Sequence, residues 1–216
     1  MLMGAEMRRT EKRLSLTAII LIASLSGGAS VDHALNAEEH DQDAHIVKAR
    51  EAASQLGSRL QQKLKNAIQQ EGPVAAINVC AAEAPDIAEQ VSEEFGLEIG
   101  RRALKVRNPN SQPDDWELEA LHYFQSLEEK GQPIKGTEWY EIINTDNGRE
   151  FRWSMAIPTG GVCLACHGTN INPALKAEIQ KLYPEDQAVG FEAGSLRGIF
   201  SAKTTLPKNG PENPGN

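Results

Sequence analysis

Residues 138–157 read EWYEIINTDNGREFRWSMAI. Two runs rich in aromatic and β-branched residues, 138–144 and 150–157, flank Asp146-Asn147-Gly148, a tripeptide suited to a tight hairpin turn. In the second run Phe151, Trp153, Met155 and Ile157 alternate with polar or small residues, which predicts that all four share one sheet face. An antiparallel pair with an apolar face needs cover, and the flanking sequence supplies it as helices.

Towards the N-terminus, Ile46, Ala49, Ala53, Leu56, Leu60, Leu64 and Ala67 recur at intervals of three and four, the period of a long amphipathic helix ending near Gly72-Pro73. A second helix starts at Pro73, with Val74, Ile77, Cys80, Ala84, Ile87 and Val91 as its apolar face. Pro85 removes one backbone donor and should kink it, and Gly96 should close it. Residues 97–104 read as a short strand and RNPNSQPDD (107–115) as a loop. Asp114 or Asp115 can cap a helix reaching about Glu129. Asn172 followed by Pro173 opens another short helix, and GSLRGIFSA (194–202) reads as a last strand. No internal repeat is visible. The pattern is α+β: two long N-terminal helices and an antiparallel sheet with helical insertions.

Charge divides the 216 residues unevenly. Residues 1–30 hold Arg8, Arg9, Lys12 and Arg13 against Glu6 and Glu11, and the whole chain carries −8, so the remainder carries −10. A basic start, an apolar run from Leu14 to Leu25 too short to span a bilayer, and the small residues SGGAS predict a secretory signal peptide over 1–30, with a mature chain beginning near Val31. The rival reading is an uncleaved amphipathic anchor. Residues 31–45 are acidic and polar, and His33, His40 and His45 could form a weak metal-binding tract. A solvated linker explains them more simply. The folded domain is then expected over 46–202, with a disordered Pro- and Gly-rich tail at 203–216. The acidic body argues against nucleic acid as a partner. The leader places the protein in the periplasm, or otherwise secreted across the inner membrane.

Residues 163–167 read CLACH. In an exported chain this C-x-x-C-H pattern points to one covalently attached haem c. Each thiol can add to one haem vinyl group, the two-residue spacer matches the vinyl separation, and the adjacent His reaches the iron. Cys163 and Cys166 are the attachment residues and His167 an axial ligand. Gly160 and Gly161, just before, offer backbone freedom. Two alternatives exist. A zinc site would combine Cys163, Cys166, Cys80 and His167, but adjacent Cys166 and His167 fit one tetrahedron poorly. A dithiol redox site would be expected in a βαβ unit, which this sequence lacks. The residues alone leave the second axial position open among Met155, His122 and Cys80. Arg101, Arg102, Arg107 and Arg197 are candidate partners for the haem propionates, because guanidinium groups bind carboxylates bidentately.

Four blocks, INVCAAEAPDIA (77–88), RNPNSQPDDWE (107–117), CLACH (163–167) and LYPEDQAVGFEAGSLRGIFS (182–201), resemble in content and order a family of small c-haem proteins with a PAS-like fold. The resemblance covers about residues 46–202. That family occurs in cyanobacteria and many other bacteria, and it also forms the extracytoplasmic input of histidine kinases. The resemblance implies a PAS-like sheet and Cys80 as the axial ligand opposite His167. It also implies a non-enzymatic redox or gas sensor that works with a redox partner or a membrane signalling protein. A low-potential periplasmic electron carrier is the alternative, and a peroxidase-like haem enzyme the third reading. No kinase or membrane-spanning segment follows in the sequence, which argues against signalling within one chain. Covalent attachment has a direct check. Protein made with a c-type maturation system should keep its haem through denaturation and acid–acetone extraction, and haem that washes out would refute the CLACH reading.

Overall fold

The computed structural model describes residues 29–146 and 148–207, with side chains from residue 42 onward. In chain order the elements begin with helix α1 (Ala29–Glu71), helix α2 (Ala75–Asn78) and a π-helical turn at Val79–Glu83. Helix α3 (Ala84–Phe95) and strand β1 (Glu98–Arg102) follow, then a 3-10 turn at Pro109–Ser111 and helix α4 (Asp115–Glu129). Strands β2 (Glu138–Thr145) and β3 (Gly148–Pro158) form the hairpin. After a 3-10 turn at Gly161–Cys163 come helix α5 (Leu164–His167), helix α6 (Pro173–Leu182) and strand β4 (Leu196–Leu206). The sheet is antiparallel throughout, in the order β1-β4-β3-β2. The last strand therefore inserts between the first strand and the hairpin.

The hairpin is the expected one, with Thr145 facing Gly148. Its second strand departs from expectation in one respect. Phe151 and Trp153 are buried on one face, but so are Arg152, Ser154 and Ala156 on the other. The reason is that both faces are covered. On one side α1 (Ile46, Ala49, Ala53, Leu56, Leu60) and α3 (Ile87, Val91) pack over Phe151, Trp153, Ile99 and Ala202. On the other, α4 sets Ala120, Leu121 and Phe124 against Ala156, Leu196 and Ile199. Glu138 ties α1 to the sheet edge: it accepts two bonds from Arg50 Nε (2.8 and 3.0 Å) and one from Trp153 Nε1 (3.0 Å).

Local signals place several boundaries. Asp114 caps α4 in a full capping box with Glu117. Asn172 caps α6, with Pro173 in its first turn. Gly96 ends α3 in the left-handed conformation (φ 58°), and Leu97 N–H bonds back to the Ser92 carbonyl. The segment read as one kinked helix from Pro73 is instead three pieces. The backbone widens into the π turn before Pro85, which sits in the first turn of α3, where its missing N–H costs nothing. Val74, assigned to the apolar face, is exposed because α2 starts only after it.

Two domain boundaries are corrected. Residues 31–45, read as a linker, are helical, because α1 begins at Ala29. His45, within the stretch, already stacks on Phe151 at 5.3 Å. Residues 203–206, assigned to the tail, belong to β4: Leu206 faces Arg149 of β3 and is buried in the core, and Lys203 pairs with Glu98. Of the signal-peptide reading over 1–30, residues 1–28 lie outside the described residues, as do residues 208–216 of the tail. Among the described residues no helix is long and apolar enough to cross a membrane.

Leu56 is fully buried between α1 and the sheet. Leu56→Ala should cost about 3 kcal/mol, read as a lowered urea midpoint at unchanged slope, whereas Leu182→Ala, at a position 49% exposed, should change stability by less than about 0.5 kcal/mol.

Candidate functional site

The CLACH segment is a single tight turn. Cys163 closes the 3-10 turn, Leu164–His167 form α5, and Gly168 N–H bonds the Leu164 carbonyl at 2.9 Å. A Cβ on Gly168 would stand 2.6 Å from that carbonyl oxygen, so the chain leaves the turn through a position only glycine fits. Gly160 has φ −80° and neither Gly160 nor Gly161 is left-handed; a Cβ at Gly161 would meet nothing within 4 Å, and one at Gly160 only Cys163 Sγ at 3.7 Å.

His167 is aimed by its neighbours. Its Nδ1 donates to the Ala188 carbonyl at 2.7 Å, its own carbonyl accepts from Phe191 N–H at 3.0 Å, and its ring meets the Phe191 ring edge-on at 6.2 Å. With Nδ1 donating, Nε2 is the nitrogen left to coordinate. Burial first, then the charges of Arg197 and Arg107, push the imidazole pKa down to about 3. A ligand imidazole must be neutral, and this one is held so.

Cys80 comes from the π turn and is half-buried. A one-residue widening of this kind is common at functional positions, because it re-aims a side chain without ending the helix. The Cys80 segment meets the CLACH turn through a small cluster in which Ile77, Leu175 and Ile179 pack with Cys166 and Tyr183. Cys80 lies close enough to Cys166, Tyr183 and Arg101 to act on their charge, so the π turn and the CLACH turn are neighbours in the fold. Burial raises the Cys166 thiol and the Tyr183 phenol above their ordinary values. Among the described residues, no three His, Cys, Asp or Glu side chains lie close enough to hold a metal ion together, which the zinc alternative required. The other two candidate ligands lie elsewhere: Met155 packs against the α1–α3 core, and His122 is exposed on α4.

The four arginines divide. Arg101 has an exposed side chain near Cys80, Cys163 and Tyr183, and desolvation by the surrounding protein lowers its pKa. Arg197 lies over the Phe191 ring at 5.1 Å, and burial and repulsion from Arg101 and Arg107 bring it down to about 10. Neither forms an ion pair among the described residues, so the site holds two positive charges without carboxylate partners. Arg102 is a correction. Adjacent strand residues point to opposite faces, so Arg102 turns towards α4 and bonds Glu117 at 3.0 Å. Arg107 is engaged through Nε and Nη2, with Asp186 (3.1 and 2.9 Å) and with the carbonyls of Cys166 (2.6 Å) and Ala188 (3.2 Å).

Asp186, Ala188, Phe191 and Tyr183 carry parts of this site that were not assigned from the sequence. Their signal lay in LYPEDQAVGF, a block recognisable as a unit whose individual roles depend on tertiary contacts.

A family model described as Tll0287-like matches residues 32–205. The chain belongs to that family. A solved structure described as the cyanobacterial heme-protein Tll0287 is similar to it with a TM-score of 0.57 and 26% sequence identity, covering 78% of this chain and 98% of that one. No curated relative matches the chain. The PAS-like α+β fold expected from the four sequence blocks is the fold found.

The low His167 pKa gives a test of the pocket without any cofactor. In a chain with Cys163 and Cys166 replaced by Ala, the His167 imidazole should stay neutral on titration down to about pH 4, followed by NMR. An unfolded His takes a proton near pH 6.5, so this group's contribution to stability is present above that pH and is lost as pH falls towards 3.

Proposed function

We propose that this Tll0287-like protein carries one haem c, attached through Cys163 and Cys166 with His167 and Cys80 as axial ligands. It serves outside the cytoplasm as a redox or gas sensor and not as an enzyme. The observation that carries this reading is the proximity of the CLACH turn, the Cys80 π turn and two arginines without carboxylate partners among the described residues. The residues present fit the group. Two thiols and an imidazole stand on one turn, a third thiol comes from a separate element, and Arg101 and Arg197 offer guanidinium groups to a dianionic edge. The apolar cluster of Ile77, Ile171, Leu175, Ile179 and Tyr183 supplies wall for a flat hydrophobic ring. Bound there, haem would supply a one-electron iron couple.

The chain's own residues would hold and tune it. His167 is kept neutral and oriented by Ala188, and Arg101 and Arg197 compensate anionic groups. A thiolate from Cys80 is an anionic electron donor that favours ferric iron, which sets a low potential. The similar structure being a heme-protein supports cofactor identity at the level of the family. A redox protein or a membrane signalling protein would read the state of the site. The second reading, a low-potential periplasmic electron carrier, is favoured by the exposure of Val162 and Ala165, which bring the CLACH turn to the surface within reach of a docked partner.

Cys80 decides the ligation. Cys80→Ser should keep the covalent haem, change the ferric low-spin spectrum and raise the midpoint potential, and Cys80→Ala should open a site for carbon monoxide or nitric oxide. If both variants retain the wild-type spectrum and potential, Cys80 is a packing residue and the His/Cys reading fails. Fast electron exchange with retained Cys80 ligation would favour the carrier over the sensor.

A further inference from the structure

The structure assigns to Arg107 and Asp186 the role of a positioning pair that couples the CLACH turn to the acceptor of His167 and sets the redox balance of the site, an inference that rests on the haem reading above.

The pair is nearly sealed from solvent, with 9% of the Arg107 side chain and 7% of the Asp186 side chain exposed. Every contact it makes ends on backbone near the CLACH turn or on its own partner. Arg107 Nε donates to Asp186 Oδ1 at 3.1 Å, and Nη2 donates to Asp186 Oδ2 at 2.9 Å. The same Nη2 donates to the Cys166 carbonyl at 2.6 Å and to the Ala188 carbonyl at 3.2 Å. Asp186 Oδ1 in turn accepts from Ala188 N–H at 2.9 Å. The Ala188 carbonyl is the acceptor of His167 Nδ1 at 2.7 Å. One peptide oxygen is therefore shared between a guanidinium and the imidazole N–H, and the residue bearing it is held on its other side by the carboxylate that neutralises the guanidinium. Gln187 N–H to the Val106 carbonyl at 3.0 Å and Phe191 N–H to the His167 carbonyl at 3.0 Å lock the same three segments together.

The consequences follow from charge. A carbonyl that already accepts from a cation is a weaker acceptor for Nδ1–H, so the imidazole keeps less anionic character and donates less to the metal. Arg107 also places a positive charge beside the site, which disfavours the more oxidised iron, while Asp186 opposes it. Removing the cation alone and removing the anion alone must shift the ferric/ferrous balance in opposite directions. A pair that only supported the fold would not give opposite signs.

The test uses the full chain matured with haem, in wild type, Arg107→Gln, Asp186→Asn and the double variant. Covalent haem content, absorption and paramagnetic resonance spectra and midpoint potential are measured for each. The midpoint potential should fall in Arg107→Gln and rise in Asp186→Asn, each by a change of at least about tenfold in the redox equilibrium constant, or about 59 mV for a one-electron couple. The double variant should lie between them. Should Arg107→Gln fail to fold, Arg107→Lys and Asp186→Asn still carry the sign: the first keeps the charge and should shift less than the second. Potentials that move in the same direction in both single variants, or that do not move with haem and ligation intact, overturn the inference while leaving the haem reading standing. A wild-type chain without covalent haem would defeat the haem reading itself, and this inference with it.

Discussion

Strands β3 and β4 lie at the centre of the sheet and are covered on both faces, so each of their residues serves one of two packing interfaces. Trp153 and Phe151 look into the α1–α3 layer, and Ala156 and Ile199 look into the α4 layer. A slip of one residue would exchange the two sets and bring Arg152 and Ser154 into the apolar layer, so register is strongly specified. That fixed register propagates to β1, which pairs with β4 through Arg101↔Phe200 and Arg102↔Ile199. The same alternation sends Arg101 towards Cys80 and Arg102 to Glu117 under α4. The two adjacent arginines owe their different tasks to strand parity alone.

Electrostatics on the two faces are handled in opposite ways. Under α4, Glu117 is buried and meets Arg102, and the buried Arg152 bonds Asp114 at 2.6 Å while stacking on Trp116 at 4.9 Å. Positive and negative charge there close on one another, as buried ions must. Near the CLACH turn, Arg107 has a carboxylate partner, while Arg101 and Arg197 have none among the described residues. Arg197 is desolvated and repelled by Arg101 and Arg107, which lowers its pKa to about 10, whereas the ions under α4 neutralise one another.

What was legible in the sequence was local. The Asp114 cap, the Asn172-Pro173 helix start, the Gly96 stop and the hairpin turn each depend on residues within a few positions, and each stands where expected. The CLACH turn was legible for the same reason, since its pattern lies within five residues, whereas Cys80 was singled out only by the resemblance of its block to a known family. What failed depended on contacts across the fold. Arg102 sits in the right segment for a propionate partner, but the Glu117 carboxylate that claims it lies 15 residues away in sequence, on the α4 side of the sheet. The start of α1 was hidden because a polar helix lacks an apolar stripe to announce it, and the end of β4 because its burial at Leu206 comes from strand pairing. The π turn left no local signal: Pro85 suggested a break, but it does not specify a widened turn five residues upstream.

That turn gives the site its asymmetry. His167 stands on a turn closed by backbone bonds from Gly168, Gly190 and Phe191 and by the Arg107 fork, so the imidazole has little room to move. Cys80 stands in a π turn inside an unbroken helical run over 75–95, which starts without a side-chain cap and is preceded by an exposed Val74. Ile77 anchors that run against Leu175 and Ile179. A π turn can return to an α turn by moving one residue's bonding, a rearrangement that rotates the side chains before it relative to those after it. From Cys80 the chain continues into α3, whose Glu94 accepts from Arg59 of α1, so the π turn is joined through α3 to the helix that covers the sheet.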